Sequence, residues 1–347
     1  MRSRLCSLTL MLALLGCGSS SEPATEPEPT EPEPTESEPT ESEPSDVEVP
    51  LPPGSVGALP EEGETEFLLC TLDAPIDGGE RPAIGAIDWR SDGVLVLASD
   101  GALRALEILR SRDCRLRAHQ AFAESGTWVR EGLDASTAQL AADHAGHLYF
   151  GDGTSVVRFT GDTLPTSPLA LRTAQLSAHS GGDFALARVG HTLVRISGDD
   201  ALNHAPEPLG LRARDLMFAS LVGDGTLLIA RRGPAELVAL DGSAPHPLAL
   251  PDGLDATFHF ARPATSGIAL LRTGEHAAIH LLSEDGTYQR TVGVGDSIDF
   301  ALEFASPVDG PARVTGLSSV HDRVAYLTFE ATRDGHREGG IVRISGL

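Results

Sequence analysis

The chain has 347 residues, 26 basic and 50 acidic, with a formal net charge of -24 at neutral pH. Every basic residue is an arginine, which excludes lysine Schiff-base and P-loop chemistry. Eleven acidic residues lie between Glu22 and Glu48 with no base among them, and Glu61, Glu62, Glu64 and Glu66 add four more. The remainder is mildly acidic with scattered arginines, which argues against a nucleic-acid partner and against adsorption to anionic lipid.

At the start of the chain, Arg2 and Arg4 precede a largely apolar run from Leu5 to Leu15. A run of about 11 residues cannot span the roughly 30 Å of a bilayer core, so it reads as an export segment and not as an anchor. The residues that follow, Leu14, Leu15, Gly16 and Cys17, resemble the lipobox of bacterial lipoproteins, with the bulky Leu15 as the one departure. That resemblance implies a signal peptide over residues 1–16 and lipid, palmitate included, on Cys17. An ordinary cleaved signal with a chance cysteine is the competing reading. Gly18 stands where an inner-membrane retention signal of the lipoprotein pathway would usually place Asp, so the resemblance implies an outer-membrane anchor, facing the periplasm or the surface.

Residues 17–65 read as a disordered tether. Glu22 to Pro44 alternates Glu, Pro, Thr and Ser with no aromatic or large aliphatic residue, too polar to offset the entropy of ordering. Proline and like charge keep such a segment extended at up to about 3.1 Å per residue, a reach approaching roughly 100 Å. The folded domain is expected over residues 66–347.

Cys70 and Cys114 remain after Cys6 leaves with the signal and Cys17 takes lipid. An exported protein folds in an oxidising space, which suggests a disulfide. Two buried free thiols fit equally well, because both cysteines sit in apolar strand contexts.

From Phe67 onward no helical period is evident, and short strands bounded by Gly and Asp recur. Val156–Gly161 (VVRFTG) returns as Leu193–Gly198 (LVRISG), as Leu237–Gly242 (LVALDG) and at the end as Ile341–Gly346 (IVRISG), with a looser copy at Ile279–Gly286. A second strand precedes each repeat unit's third: Val94–Ala98, Leu148–Phe150, Phe184–Ala187, Leu227–Ala230, Ile268–Leu271 and Val324–Phe329. Their spacing averages about 46 residues, the period of a four-stranded propeller blade. The fold class is therefore all-β: a β-propeller of six four-stranded blades. A seventh irregular blade using Ile298 to Ala305 is the alternative count. The last repeat stops at Leu347 without an outer strand, while Glu66–Leu72 is a strand left over at the start, so pairing the two would close the ring.

Asp143 to Asp152 (DHAGHLYFGD) is similar to the signature of NHL-type and TolB-like six-bladed propellers, and Asp88 to Asp100, with Gly93 at its turn, is a second such match. In this pattern Gly makes the turn between first and second strands and the aspartates bind turn backbone groups. Two blades carry the resemblance well and the others weakly, so it implies a fold and no particular activity.

No nucleophile elbow, zinc helix, Walker loop, Cys-x-x-Cys or EF-hand spacing is present. Propeller enzymes gather site residues from several blades, and the lactonase members of the six-bladed class imply a divalent-metal hydrolase as the alternative function. Its candidate ligands are Asp88, Asp143, Asp215, Asp299 and His259, with His259 and His179 as possible bases. Asn203 is the only asparagine in the chain, whereas those sites combine Glu with Asn and Asp. His144 and His147 have a metal-like spacing, but on a turn entering a strand they need not face the same way. Trp89 and Trp128 would either line a groove or pack between blades. The leading expectation is a lipid-anchored, non-catalytic binding or scaffolding module: a monomer with no cofactor, whose partners are the membrane, through Cys17, and an envelope protein or small ligand.

Overall fold

Second and third strands of the repeat are apolar at consecutive positions and not at alternate ones, which is the pattern of a sheet covered on both faces. The computed structural model describes residues 64–347 apart from 74–81, 111–112, 144, 164–167, 174, 179–183, 191, 198–206, 213–215, 217, 224, 231–234, 241–244, 249, 252–257, 265–266, 274–276, 296 and 299–308. The export segment, Cys17 and the Glu22–Pro44 tract lie outside the described residues. So do Asp215, Asp299, His144 and His179.

The chain begins with β1 (Glu66–Leu69) and β2 (Thr71–Leu72). Blade 1 follows as β3 (Ile84–Trp89), β4 (Leu95–Ser99), β5 (Ala102–Arg110), β6 (Arg115–Ala118) and β7 (Thr127–Val129), and blade 2 as β8 (Gln139–Ala142), β9 (His147–Gly151) and β10 (Val156–Thr160). Blade 3 comprises β11 (Gln175–Ala178), β12 (Phe184–Val189), β13 (Thr192–Ser197) and β14 (Glu207–Arg212). Blade 4 comprises β15 (Phe218–Gly223), β16 (Thr226–Ala230), β17 (Glu236–Ala239) and β18 (His246–Pro247). Blade 5 is β19 (Phe260–Ala264), β20 (Gly267–Arg272), β21 (Ala278–Leu282) and β22 (Tyr288–Gly293), and blade 6 is β23 (Arg313–Leu317), β24 (Val324–Arg333) and β25 (His336–Ser345).

These strands form six antiparallel meanders, and the fold is a six-bladed β-propeller. The outer edge of blade 2 is a single bridge between Val156 and Leu169. Ile298, which a seventh blade would have used, lies in a helical turn, donating its N–H to the Val294 carbonyl at 3.0 Å, and is buried between blades 5 and 6.

Because side chains alternate across a strand, each second strand serves two interfaces. On β4, Leu95 and Leu97 pack against Tyr326 and Val324 of blade 6, while Val96 and Ala98 pack against Leu140 and Phe150 of blade 2. On β20, Ile268 and Leu270 face blade 4, and Ala269 and Leu271 face blade 6. The same division on β12 and β16 supplies the interfaces of blades 2 with 3 and 3 with 4. Six apolar clusters thus correspond to six blade contacts, including the one between blades 6 and 1. The two tryptophans belong to this packing. Trp89 meets the Tyr326 ring edge-on at 5.3 Å, and Trp128 meets Phe150 and Phe159 at 5.8 and 5.3 Å.

Ring closure is made by the first strand on the last. Residues Glu66 to Leu69 of β1 pair antiparallel with Ser345 to Val342 of β25, completing blade 6 as its outer strand. The leftover strand does not run straight on, however. After Cys70 it crosses to blade 1, where β2 pairs parallel with Arg115 and Leu116 of β6. Cys70 and Cys114 are joined by a disulfide at this crossing, with Cα atoms 4.6 Å apart, so blade 6, the closing strand and blade 1 are tied at one point.

The bridge spans 44 residues, for which the chain-entropy model gives about 4 kcal/mol of stabilisation. The Cys70→Ser, Cys114→Ser double variant is expected to lose up to that amount in a urea titration, with a somewhat steeper denaturant slope because the unfolded chain is no longer cross-linked. An unaltered midpoint would show that β1 holds the ring without the covalent tie.

Candidate functional site

All six innermost strands run the same way along the propeller axis, so their C-terminal ends gather at one mouth. Between them lies a cavity of about 670 Å³, bounded by Asp88 and Trp89 after β3, Asp143 after β8, Ser177 and Ala178 of β11, Leu221 to Gly223 of β15, Pro263 and Ala264 of β19, and Ser319 to Asp322 after β23. Thr226, Gly267, Ile268, Glu284 and the turn residues Arg90 and Ser91 complete the wall.

Inner strands of neighbouring blades are not laddered to each other, and their backbone groups need side-chain partners. Polar residues of the inner strands supply many of them. Leu221 N–H donates to Ser177 Oγ at 2.9 Å, Ser220 Oγ donates to the Ala261 carbonyl at 3.0 Å, and Thr315 Oγ1 donates to the Ile84 carbonyl at 2.7 Å.

At the floor this arrangement becomes ionic. Asp88 is almost wholly buried, and its Oδ1 accepts from the N–H groups of Trp89 and Ser319, both at 3.0 Å, while Oδ2 accepts from Ala142 N–H at 3.1 Å. Arg262 reaches across from blade 5, with Nη1 3.9 Å from Asp88 Oδ2. Its Nε donates to the Leu317 carbonyl and its Nη2 to the Leu140 carbonyl, each at 2.9 Å. One ion pair therefore joins blades 1 and 5 and, through backbone, blades 2 and 6.

Asp143 and Arg90, also at the mouth, are engaged as well. Asp143 accepts His147 N–H at Oδ1 and meets the ring Nδ1 at Oδ2, both at 2.8 Å, closing a turn in which Gly146 has φ +85°. Arg90 donates to Asp162 Oδ1 at 2.7 Å and to Asp92. Burial alone would raise the Asp162 carboxyl, but the Arg90 and His119 contacts outweigh it and hold it below the usual range.

Of the candidate ligands, the structure brings Asp88 and Asp143 to the same mouth, each consumed by bonds within the propeller. His259 lies elsewhere. It precedes β19 and so sits at the opposite end of the inner strands, where its Nδ1 accepts from Thr273 N–H at 3.3 Å. Partial burial, and then the Arg313 guanidinium, hold its imidazole below the ordinary range. Among the described residues no group of three or more His, Cys, Asp and Glu gathers as a metal site. Arg262 and Glu284 are the mouth residues that sequence reasoning missed. For Arg262 the available signal was a charged residue at the centre of an inner strand, in Phe260–Ala264.

No protein-family model matches the chain, and no curated protein does. Among solved structures it is similar to virginiamycin B lyase from Staphylococcus aureus at 10% identity, covering 81% of this chain and 99% of that one with a TM-score of 0.45. It is similar also to PorZ, a surface component of the type-IX secretion system of Porphyromonas gingivalis, at 11% identity over 78% of this chain and 39% of that one, with a TM-score of 0.43. A third is a TolB-type protein from Agrobacterium tumefaciens, at 13% identity over 61% of this chain and 80% of that one, with a TM-score of 0.41. Likeness at this level carries no inference about activity. Among the described residues no helix is long and apolar enough to cross a membrane.

Replacing Arg262 with Leu leaves Asp88 buried and uncompensated and is expected to cost about 3 kcal/mol. A loss below about 0.5 kcal/mol, the scale of an ordinary surface change, would show that the ion pair does not brace the ring.

Two further groups should contribute to acid stability alongside His259 and Asp162. Burial, then Arg272, holds the His280 imidazole below its usual 6.5. Burial opposes ionisation of Asp152, but hydrogen bonds from Thr154, Arg130 and Ser155 prevail and hold it well below 3.8. Both folded-state values are depressed, so each contribution is present above the unfolded value and lost as pH falls through the folded one. Melting temperature should thus decline first below about pH 6.5 and again below about pH 4. His280→Gln should flatten the first decline and Asp152→Asn the second, as read by thermal melts across that range.

Proposed function

We propose that this chain is an envelope protein anchored by lipid on Cys17, with its acidic proline-rich segment as tether and its propeller as a non-catalytic, monomeric binding module. The lipobox-like Leu14–Cys17 and the polar Glu22–Pro44 tract support the anchoring. The observation that supports a binding role over hydrolysis is the state of the charged groups around the axial mouth. Asp88 is committed to Arg262 and to three backbone N–H groups, Asp143 to His147, and Arg90 to Asp92 and Asp162. A nucleophile, a base or a metal-binding carboxylate needs lone pairs available to substrate, and those of Asp88 and Asp143 are taken up by the ring. The recess has the size of a ligand site and lies at the meeting point of six strand ends.

Two arms of one experiment on the full chain test this reading. Fed with an alkyne fatty acid, cells expressing the wild type should label the protein, and the Cys17→Ser variant should not. Purified in detergent, the protein should melt at the same temperature with calcium, with zinc or with chelator, since a ligand of the folded state raises stability by RT ln(1 + [L]/Kd). Label retained by the variant would remove the anchor. A clear upward shift with one metal would favour the lactonase-type hydrolase instead.

A further inference from the structure

The sign and polarity of the axial cavity restrict what it can hold. Its positive groups are neutralised from within: Arg262 faces Asp88 and two carbonyls, and Arg90 faces Asp92, Asp162 and the Gly161 carbonyl. At the rim the balance is the reverse. Glu284, exposed and lining the cavity, has no ion-pair partner among the described residues. Leu221, Val222, Ile268 and Val320 line the recess beside Ser177, Thr226 and Ser319, so the wall is of mixed polarity with an apolar share. An anion entering would meet the Glu284 carboxylate, while Arg90 and Arg262 are already engaged. A purely polar cation would leave the apolar share of the wall without a partner.

We infer that the cavity is a binding site for a small amphipathic amine, with an apolar body on Leu221, Val222, Ile268 and Val320 and a cationic head at the rim against Glu284. The volume of about 670 Å³ falls within the roughly 300–1,000 Å³ of ordinary small-molecule sites. This assignment rests on the reading of the propeller as a binding module and adds the chemical class of its ligand.

The test uses three molecules with one body and different heads: phenylbutylamine, phenylbutanol and phenylbutanoate, titrated calorimetrically into the full chain at low salt. The amine should bind most tightly and the carboxylate least, and added salt should weaken the amine alone. Glu284→Gln should weaken the amine about fivefold, a loss close to 1 kcal/mol for a rim charge pair. Glu131→Gln, an exposed carboxylate away from the cavity, should not. Ser91→Trp, which places an indole at the mouth from an exposed turn position, should abolish binding while leaving the melting temperature in place. Alcohol or carboxylate binding as tight as the amine, blocked by Ser91→Trp, would overturn the assignment of charge while leaving a binding module. Amine binding indifferent to Glu284→Gln, or no binding of the amine, would overturn the proposal outright. Whether the module reading also falls is then decided separately by the metal melts.

Discussion

A ring of sheets has no stable half-made form, and the pairing of β1 with β25 is the contact on which the others depend. Each blade is apolar on both faces, so an open arc of six would leave two uncovered faces at its ends. Closure converts those ends into the sixth interface, where Leu95, Leu97 and Trp89 of blade 1 meet Val324 and Tyr326 of blade 6. The closing strand is only four residues long, and it carries that burden because two other features reinforce it. Its continuation pairs with β6 of blade 1, and the Cys70–Cys114 disulfide fixes the crossing point. The segment proposed to lead to the membrane enters the fold through this same strand.

A second constraint operates at the axis. The blades are separate sheets that converge on the axis, and their inner strands are not laddered to one another. Ser177, Ser220 and Thr315 answer this with single hydrogen bonds to the next blade. Asp88 and Arg262 answer it together, with one carboxylate collecting three N–H groups and one guanidinium spanning two carbonyls. A buried ion pair is seldom stabilising relative to an apolar replacement, but it fixes geometry because neither partner tolerates being left alone. Here the geometry fixed is the relative placement of four blades, and the cavity above it inherits that rigidity.

Of the aspartates that look most like chemistry in the sequence, Asp88 and Asp143 are bonded to backbone groups of the propeller. Asp143 and Asp152 close tight turns, as the NHL-like pattern implies, and Asp92 and Asp285 accept the Val94 and Thr287 N–H groups in turns of the same kind. The spacing of such residues reports the turn's need for a short acceptor side chain and says nothing about solvent-facing lone pairs. Glu284, proposed above as the contact for a cationic head, is an exposed side chain on the turn after β21, which lies at the same end of blade 5 as the C-terminal end of β19.

Much of the architecture could be read directly along the chain. Strand identity, blade number and the pairing of first and last strands follow from local regularities: consecutive apolar positions, Gly and Asp turns, a period near 46 residues, and a repeat cut short at Leu347. These are properties of neighbours in sequence, and steric and hydrophobic rules act on neighbours. The pairing of Cys70 with Cys114, the bend that divides Glu66–Leu72 between two blades, and the meeting of Arg262 with Asp88 were decided only when the ring closed. Arg262 and Asp88 are 174 residues apart in the chain, on blades one and five. Their 3.9 Å separation is a product of circular closure, which brings distant strand ends to a common axis without leaving a mark on the sequence around either one.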